Sequence, residues 1–193
     1  MAKGKLVQEL KEPHSDTVFG LQFSPDSTQL ASCAADKLVR VWDVESGREI
    51  RKFEGHTHHV LDVAWKPDGK QLVSAGADNV LKVWDMASGE QVRTIPAHSK
   101  QVTSLRFQGT SVNVVSCGGD AQVKMFNVDN GGNVRNFPNQ GDFQYSVSLP
   151  KDGSLVAAGG QDSVIRIWGT NDGQLKKQIT PPGPPVTAQA KAN

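Results

Sequence analysis

The 193-residue chain has little of what marks several protein classes. Two cysteines are too few for a disulfide framework. Charge of one sign does not dominate: 21 Lys+Arg stand against 20 Asp+Glu, which excludes a strongly basic nucleic-acid binder or an acidic tail as the main theme. No apolar run approaches the ~18–20 residues needed to span a bilayer. Met1–Lys11 lacks the apolar centre of a signal peptide. No membrane partner is therefore expected, and the cytoplasm is the default location. A helical period appears nowhere. Glycine is the exception to this scarcity. Its 19 residues exceed the usual share of ~7% and recur at regular places.

That regularity is a repeat. Trp42, Trp84, Phe126 and Trp168 are spaced by 42 residues, as are Asp36, Asp78, Asp120 and Asp162. His14, His56 and His98 keep the same step, which next lands on Gln140. Each unit reads as short strands with bulky residues at alternate positions, such as Leu21/Phe23, Val63/Trp65 and Leu105/Phe107. Turn chemistry such as Ser24-Pro25-Asp26-Ser27 and Lys66-Pro67-Asp68-Gly69 separates the strands. Four strands per unit, joined by hairpin-length turns, predict an all-β chain of four-stranded antiparallel sheets in series.

Gly55-His56, Trp42-Asp43 and Trp84-Asp85, set on this period, resemble the signature of WD40 repeats, whose period is ~40–45 residues. The resemblance covers about residues 5–181 and implies a β-propeller with four blades per chain. The units also resemble WD40 segments of larger bacterial proteins. The expected organisation is a leading fourth strand in 1–13, repeats over 14–55, 56–97, 98–139 and 140–181, and a proline-rich stub of a fifth repeat in 182–193.

The resemblance also implies a hydrogen-bonded brace in each blade. The sets are His14, Ser32, Asp36 and Trp42; His56, Ser74, Asp78 and Trp84; and His98, Ser116 and Asp120, with Phe126 in place of tryptophan. Unit four keeps Asp162 and Trp168, while Gln140 and Ala158 replace His and Ser. Buried polar groups left unpaired cost ~1–3 kcal/mol each, so blade four is expected to be the least well braced. A Ser, a His and an Asp together invite a hydrolase reading. A brace repeats from blade to blade, however, whereas a catalytic triad does not, and no Gly-x-Ser-x-Gly elbow is present.

Other constellations carry no chemistry. His56, His58 and His59 lack acidic or cysteine ligands at zinc-like spacing and read as a solvated loop, so no metal or cofactor is expected. Cys33 and Cys117 sit at one repeat position two blades apart, too far to bridge, and read as small buried residues. Arg40, Lys82, Lys124 and Arg166 recur singly and read as a solvated strand face rather than a nucleic-acid groove.

The family resemblance implies that partners dock on the top face. Three repeat positions map there: Thr17, Phe19 and Ala35; His59, Leu61 and Ala77; Gln101, Thr103 and Gly119; and Phe143, Tyr145 and Gln161. Aromatic side chains often anchor interfaces, but Phe19 and Phe143 packing between blades is an equal alternative.

The leading function is a non-catalytic scaffold that binds a protein or peptide. The alternative is a purely structural or self-assembling propeller segment. A propeller enzyme is a third reading, which would need non-repeating acidic or His clusters. The strand-like stretch 5–10 and the last fourth strand, 174–179, are redundant with one another. A closed four-blade monomer, a fragment of a longer ring, and an eight-bladed ring formed as a homodimer all remain open, and the homodimer is the hypothesis preferred.

Overall fold

A computed structural model describes residues 9–10, 14–138 and 141–182. Among the described residues sixteen strands form four antiparallel sheets, each built from four consecutive strands in chain order. Blade one holds β1 (Val18–Phe23), β2 (Gln29–Ala34), β3 (Val39–Asp43) and β4 (Glu49–Phe53). Blade two holds β5 (Val60–Trp65), β6 (Gln71–Gly76), β7 (Val80–Asp85) and β8 (Gln91–Pro96). Blade three holds β9 (Val102–Phe107), β10 (Asn113–Gly118), β11 (Val123–Asn127) and β12 (Asn133–Phe137). Blade four holds β13 (Gln144–Ser148), β14 (Leu155–Gly160), β15 (Ile165–Gly169) and β16 (Leu175–Ile179). Of the expected leading strand 5–10, only Glu9 and Leu10 are described, and they belong to no strand. Gln140 and Val186 lie outside the described residues.

The turns hold the period. The hairpin between third and fourth strands bends at Gly47, Gly89, Gly131 and Gly173, with φ of 67°, 78°, 77° and 67°, a conformation that side chains other than glycine adopt at a cost. Each first strand also carries an irregularity at one repeat position. In blade one Val18 pairs with Ala34 and Gly20 with Cys33, so Phe19 is an extra residue. Leu61, Thr103 and Tyr145 are the extra residues of the other three blades. Such bulges leave the added residue outside the ladder and re-aim its side chain.

Blades stack in chain order, and each junction is a core. Blade one gives Ala31, Cys33, Val39, Val41 and Phe53, which meet Val60, Val63, Trp65, Leu72 and Trp84 of blade two. The same positions pack blade two on blade three through Leu81, Ile95, Leu105 and Phe126. They pack blade three on blade four through Val123, Phe137, Val147 and Trp168. Among the described residues no core joins blade four to blade one.

Candidate functional site

The histidine before each first strand reaches back across its own blade. In blade one His14 Nδ1 lies 2.9 Å from Asp36 Oδ2 and Nε2 lies 2.8 Å from Ser32 Oγ, while Trp42 Nε1 donates to Ser32 Oγ at 2.9 Å. Blade two repeats the set: His56 Nδ1 to Asp78 Oδ2 at 2.9 Å, Nε2 to Ser74 Oγ at 2.7 Å, and Trp84 Nε1 donating to Ser74 at 2.8 Å. The carboxylate can only accept, so Nδ1 donates to it; in a neutral ring Nε2 then accepts the serine proton while the serine oxygen accepts from the indole. In blade two a neutral His56 ring fits this assignment, with Nδ1 donating to Asp78 and Nε2 accepting from Ser74. Burial lowers the His56 and His98 pKa values, outweighing the facing carboxylates that raise them. Burial pushes Asp78 and Asp120 up, but the imidazoles and backbone amides that face them more than offset it, and both end below the ordinary carboxylate value.

Blade three keeps His98 against Asp120 at 2.8 Å and Ser116 at 3.0 Å, and Phe126 brings no donor. In blade four Asp162 instead takes Arg166 Nη1 at 2.6 Å and the amide of Val164 at 3.1 Å. Trp168 Nε1 turns to the carbonyl of Pro138 at 2.9 Å. Among the described residues three buried polar atoms of this blade have no partner: Arg166 Nε, Gln144 Oε1 and Thr170 Oγ1. Gln144 occupies a slot that is valine in the other three blades (Val18, Val60, Val102), and Thr170 matches Val44 and Val128. Replacing both by valine removes two desolvated orphans, worth about 1 kcal/mol each at the low end of such costs. Gln144→Val with Thr170→Val should therefore raise Tm by about 2–4 °C per kcal/mol gained. Calorimetry reads this directly, and an unchanged or lower Tm counts against it.

Four backbone bonds bring the three top-rim positions of every blade together. The amide of Ala35 donates to the carbonyl of Thr17 at 2.8 Å, Ala77 to His59 at 2.8 Å, Gly119 to Gln101 at 2.9 Å, and Gln161 to Phe143 at 2.8 Å. The bulge residues stand beside these bonds. Phe19, 48% exposed, stacks on His59 of the next blade with ring centroids 6.1 Å apart. Phe143 is half-buried against Gly119 of blade three and lies 4.8 Å from the ring of Tyr145, itself 55% exposed. The two readings of the aromatics therefore combine: Phe19 and Phe143 each bridge two blades and still reach the surface. Leu61 and Thr103 are half-buried, and Thr103 Oγ1 donates to the carbonyl of Gln144 across a blade junction at 2.6 Å. Thr17 and Gln161 are exposed, and Gln101 is half-buried. Lys37, His58, His59 and Ala77 line a shallow cavity of about 380 Å³ between blades one and two.

The recurring cations need correction. Lys82 and Arg166 are buried, and Arg40 and Lys124 are half-buried. Arg40 pairs with Glu49, Lys82 Nζ donates to Gln91 Oε1 at 2.7 Å, and Lys124 Nζ donates to the Ala97 carbonyl at 3.1 Å. The reason is position: the third strand lies between two others, so a long side chain there runs along its neighbours instead of into water. Both cysteines are buried free thiols, with Cys117 pushed up to about 12 by burial. Sequence reasoning missed Asp62. This buried carboxylate on β5 accepts from Ser104 Oγ at 2.9 Å, the amide of Leu105 at 3.0 Å and Arg106 Nη1 at 2.7 Å, all on blade three. Its signal was an acid at a first-strand position occupied elsewhere by Gly20, Ser104 and Ser146.

The profile described as "WD domain, G-beta repeat" matches residues 4–43, 47–85, 89–127 and 131–169. Each of the last three matches opens on a fourth strand and closes on the third strand of the next blade, so a repeat straddles a blade junction. Striatin-4 of Homo sapiens is 51% identical over 41 residues, covering 21% of this chain and 5% of that protein. Actin-interacting protein 1 of Drosophila melanogaster is 44% identical over 50 residues, 25% of this chain and 8% of that protein. A probable serine/threonine-protein kinase, PkwA, of Thermomonospora curvata is 45% identical over 53 residues, 25% of this chain and 7% of that protein. The chain thus spans less than a tenth of the length of each of these relatives.

Proposed function

The chain belongs to the WD40-repeat family, and from that premise we propose that it is a non-catalytic interaction scaffold whose top rim docks a protein or peptide. The observation that carries this reading is the amide-to-carbonyl bond present in all four blades. It holds three loop positions at one geometry while the side chains on them change from Phe to Leu, Thr and Tyr. A rigid frame bearing varied side chains suits recognition, because little order has to be gained on binding. Phe19 and Tyr145 supply the large exposed area that interface anchors use. One of the matched relatives is named an actin-interacting protein, in keeping with an interaction role. The His–Ser–Asp sets repeat and are turned inward onto the tryptophans, which favours a brace over a reaction centre.

The test is Phe19→Ala with Tyr145→Ala. Both side chains are about half exposed, so the double variant should melt close to the parent, within the ±0.5 kcal/mol usual for surface changes. It should also lose partners that the parent retains in affinity capture. A large fall in melting temperature with capture unchanged would instead assign these rings to blade packing.

A further inference from the structure

The positions that build the three internal junctions are all present a fourth time, divided between the two ends of the chain. Leu21 of β1 is 63% exposed, whereas its equivalents Val63, Leu105 and Val147 are 1%, 0% and 2% exposed inside junctions. Phe23 is exposed where Trp65 is buried. At the other end Ile165 is 47% exposed, against 0% for each of Val39, Leu81 and Val123. Ile179 is exposed where Phe53, Ile95 and Phe137 are buried, and a Cβ added at Gly159 would meet open space. Blade one thus bares the receiving half of a junction, and blade four bares the donating half.

A polar clamp follows the same division. Arg51 donates to the carbonyls of Met86 and Ala87 in the next blade at 3.3 and 3.4 Å. Arg93 donates to that of Asp129 at 2.7 Å, and Arg135 to that of Asn171 at 2.8 Å. The fourth member of the series is Lys177, exposed and without a polar partner among the described residues. The turn position it would reach on a preceding unit's successor is that of Glu45, also exposed and opposite in charge.

We propose that two copies of this chain join end to end, with blade four of each on blade one of the other, to close an eight-bladed ring. The occupant is a second copy because each bared half matches the other in register, in apolar character and in charge. Two copies of four blades make a ring of eight, within the span of about 4–8 blades usual for propellers. The contact is head-to-tail, so both junctions are equivalent under one twofold axis. This inference is independent of the top-rim reading, since it uses the sides of the end blades.

Mass in solution tests it with three samples: Leu21→Glu, Ile165→Glu, and an equal mixture of the two. The parent should run at twice the 20.8 kDa of one chain, and each variant alone at half the parent mass. In the mixture one of the two junctions regains both native halves, so the doubled mass should return. That rescue also shows that both variants are folded. A parent at single-chain mass, or at more than two copies, overturns the ring. So does a dimer broken by Leu21→Glu but indifferent to Ile165→Glu, which means that two copies of blade one meet face to face, or a mixture that stays at single-chain mass.

Discussion

Trp84→Ala should lower the unfolding free energy by about 3–5 kcal/mol, the range for deleting a buried tryptophan. The ring is 1% exposed and stands at the first junction, its centroid 5.2 Å from that of Phe53 in the blade before. It also closes over His56, 6.2 Å away. Truncation therefore opens a cavity shared by two blades and removes the indole donor to Ser74 at the same time. Trp84→Phe separates these effects. Ser74 keeps His56 as its partner, and blade three already runs with Phe126 at this position. Its cost should be about 1 kcal/mol, the size of one net hydrogen bond. Urea denaturation followed by intrinsic fluorescence and circular dichroism gives both numbers. If the two variants lose equal stability, the indole bond rather than the packing dominates. A loss below 1 kcal/mol for the alanine variant contradicts the packing of this junction.

Acid should loosen the fold in two stages. His56 and His98 have folded pKa values below their ordinary 6.5, because burial opposes the charged ring. The unfolded chain therefore takes up their protons first. Stability from this source is intact above pH 6.5 and falls as pH drops below it, by up to ~1.4 kcal/mol per pH unit for each histidine. The carboxylates follow. Asp78 and Asp120 sit below their ordinary 3.8, so their contribution holds above that value and is lost as pH falls through the lowered folded one. Equilibrium unfolding at a series of pH values should show the first decline setting in below about pH 6.5, before the carboxylate stage begins. In His56→Gln with His98→Gln that first decline should flatten while the carboxylate stage remains. A parent whose stability is level from pH 7 to 5 removes the buried neutral imidazoles from the account.

The strands were legible because alternation and turn residues agree in every unit. Val18–Phe23, Val60–Trp65 and Val102–Phe107 begin and end where the bulky residues do. The brace positions were legible because a fixed step of 42 carries His, Ser, Asp and Trp together. What escaped the sequence is whatever a side chain does off its own repeat position. Arg166 reads as one of four equivalent cations, yet it swings to Asp162 because no imidazole occupies the carboxylate in that blade. Asp62 reads as a polar residue on a half-buried strand, yet it ties two blades, and no pattern within one unit reveals a partner 42–44 residues away. The recurring cations looked solvated because single-strand alternation does not say which strand is inside a sheet.

The bulge on each first strand separates two jobs that a regular strand must combine. A residue inside the ladder is constrained by its cross-strand neighbours, so changing it to alter recognition also alters stability. Phe19, Leu61, Thr103 and Tyr145 stand outside that register. Aromatic, aliphatic and hydroxyl side chains already occupy this one place without any shift in the pairing around them. The four places share one backbone frame but not one set of ties: Thr103 also anchors the next blade through the Gln144 carbonyl and Phe19 leans on His59, whereas Tyr145 lies against Phe143 of its own blade. Rewriting Tyr145 would change the side chain shown at the rim while leaving the strand pairing beneath it as it is.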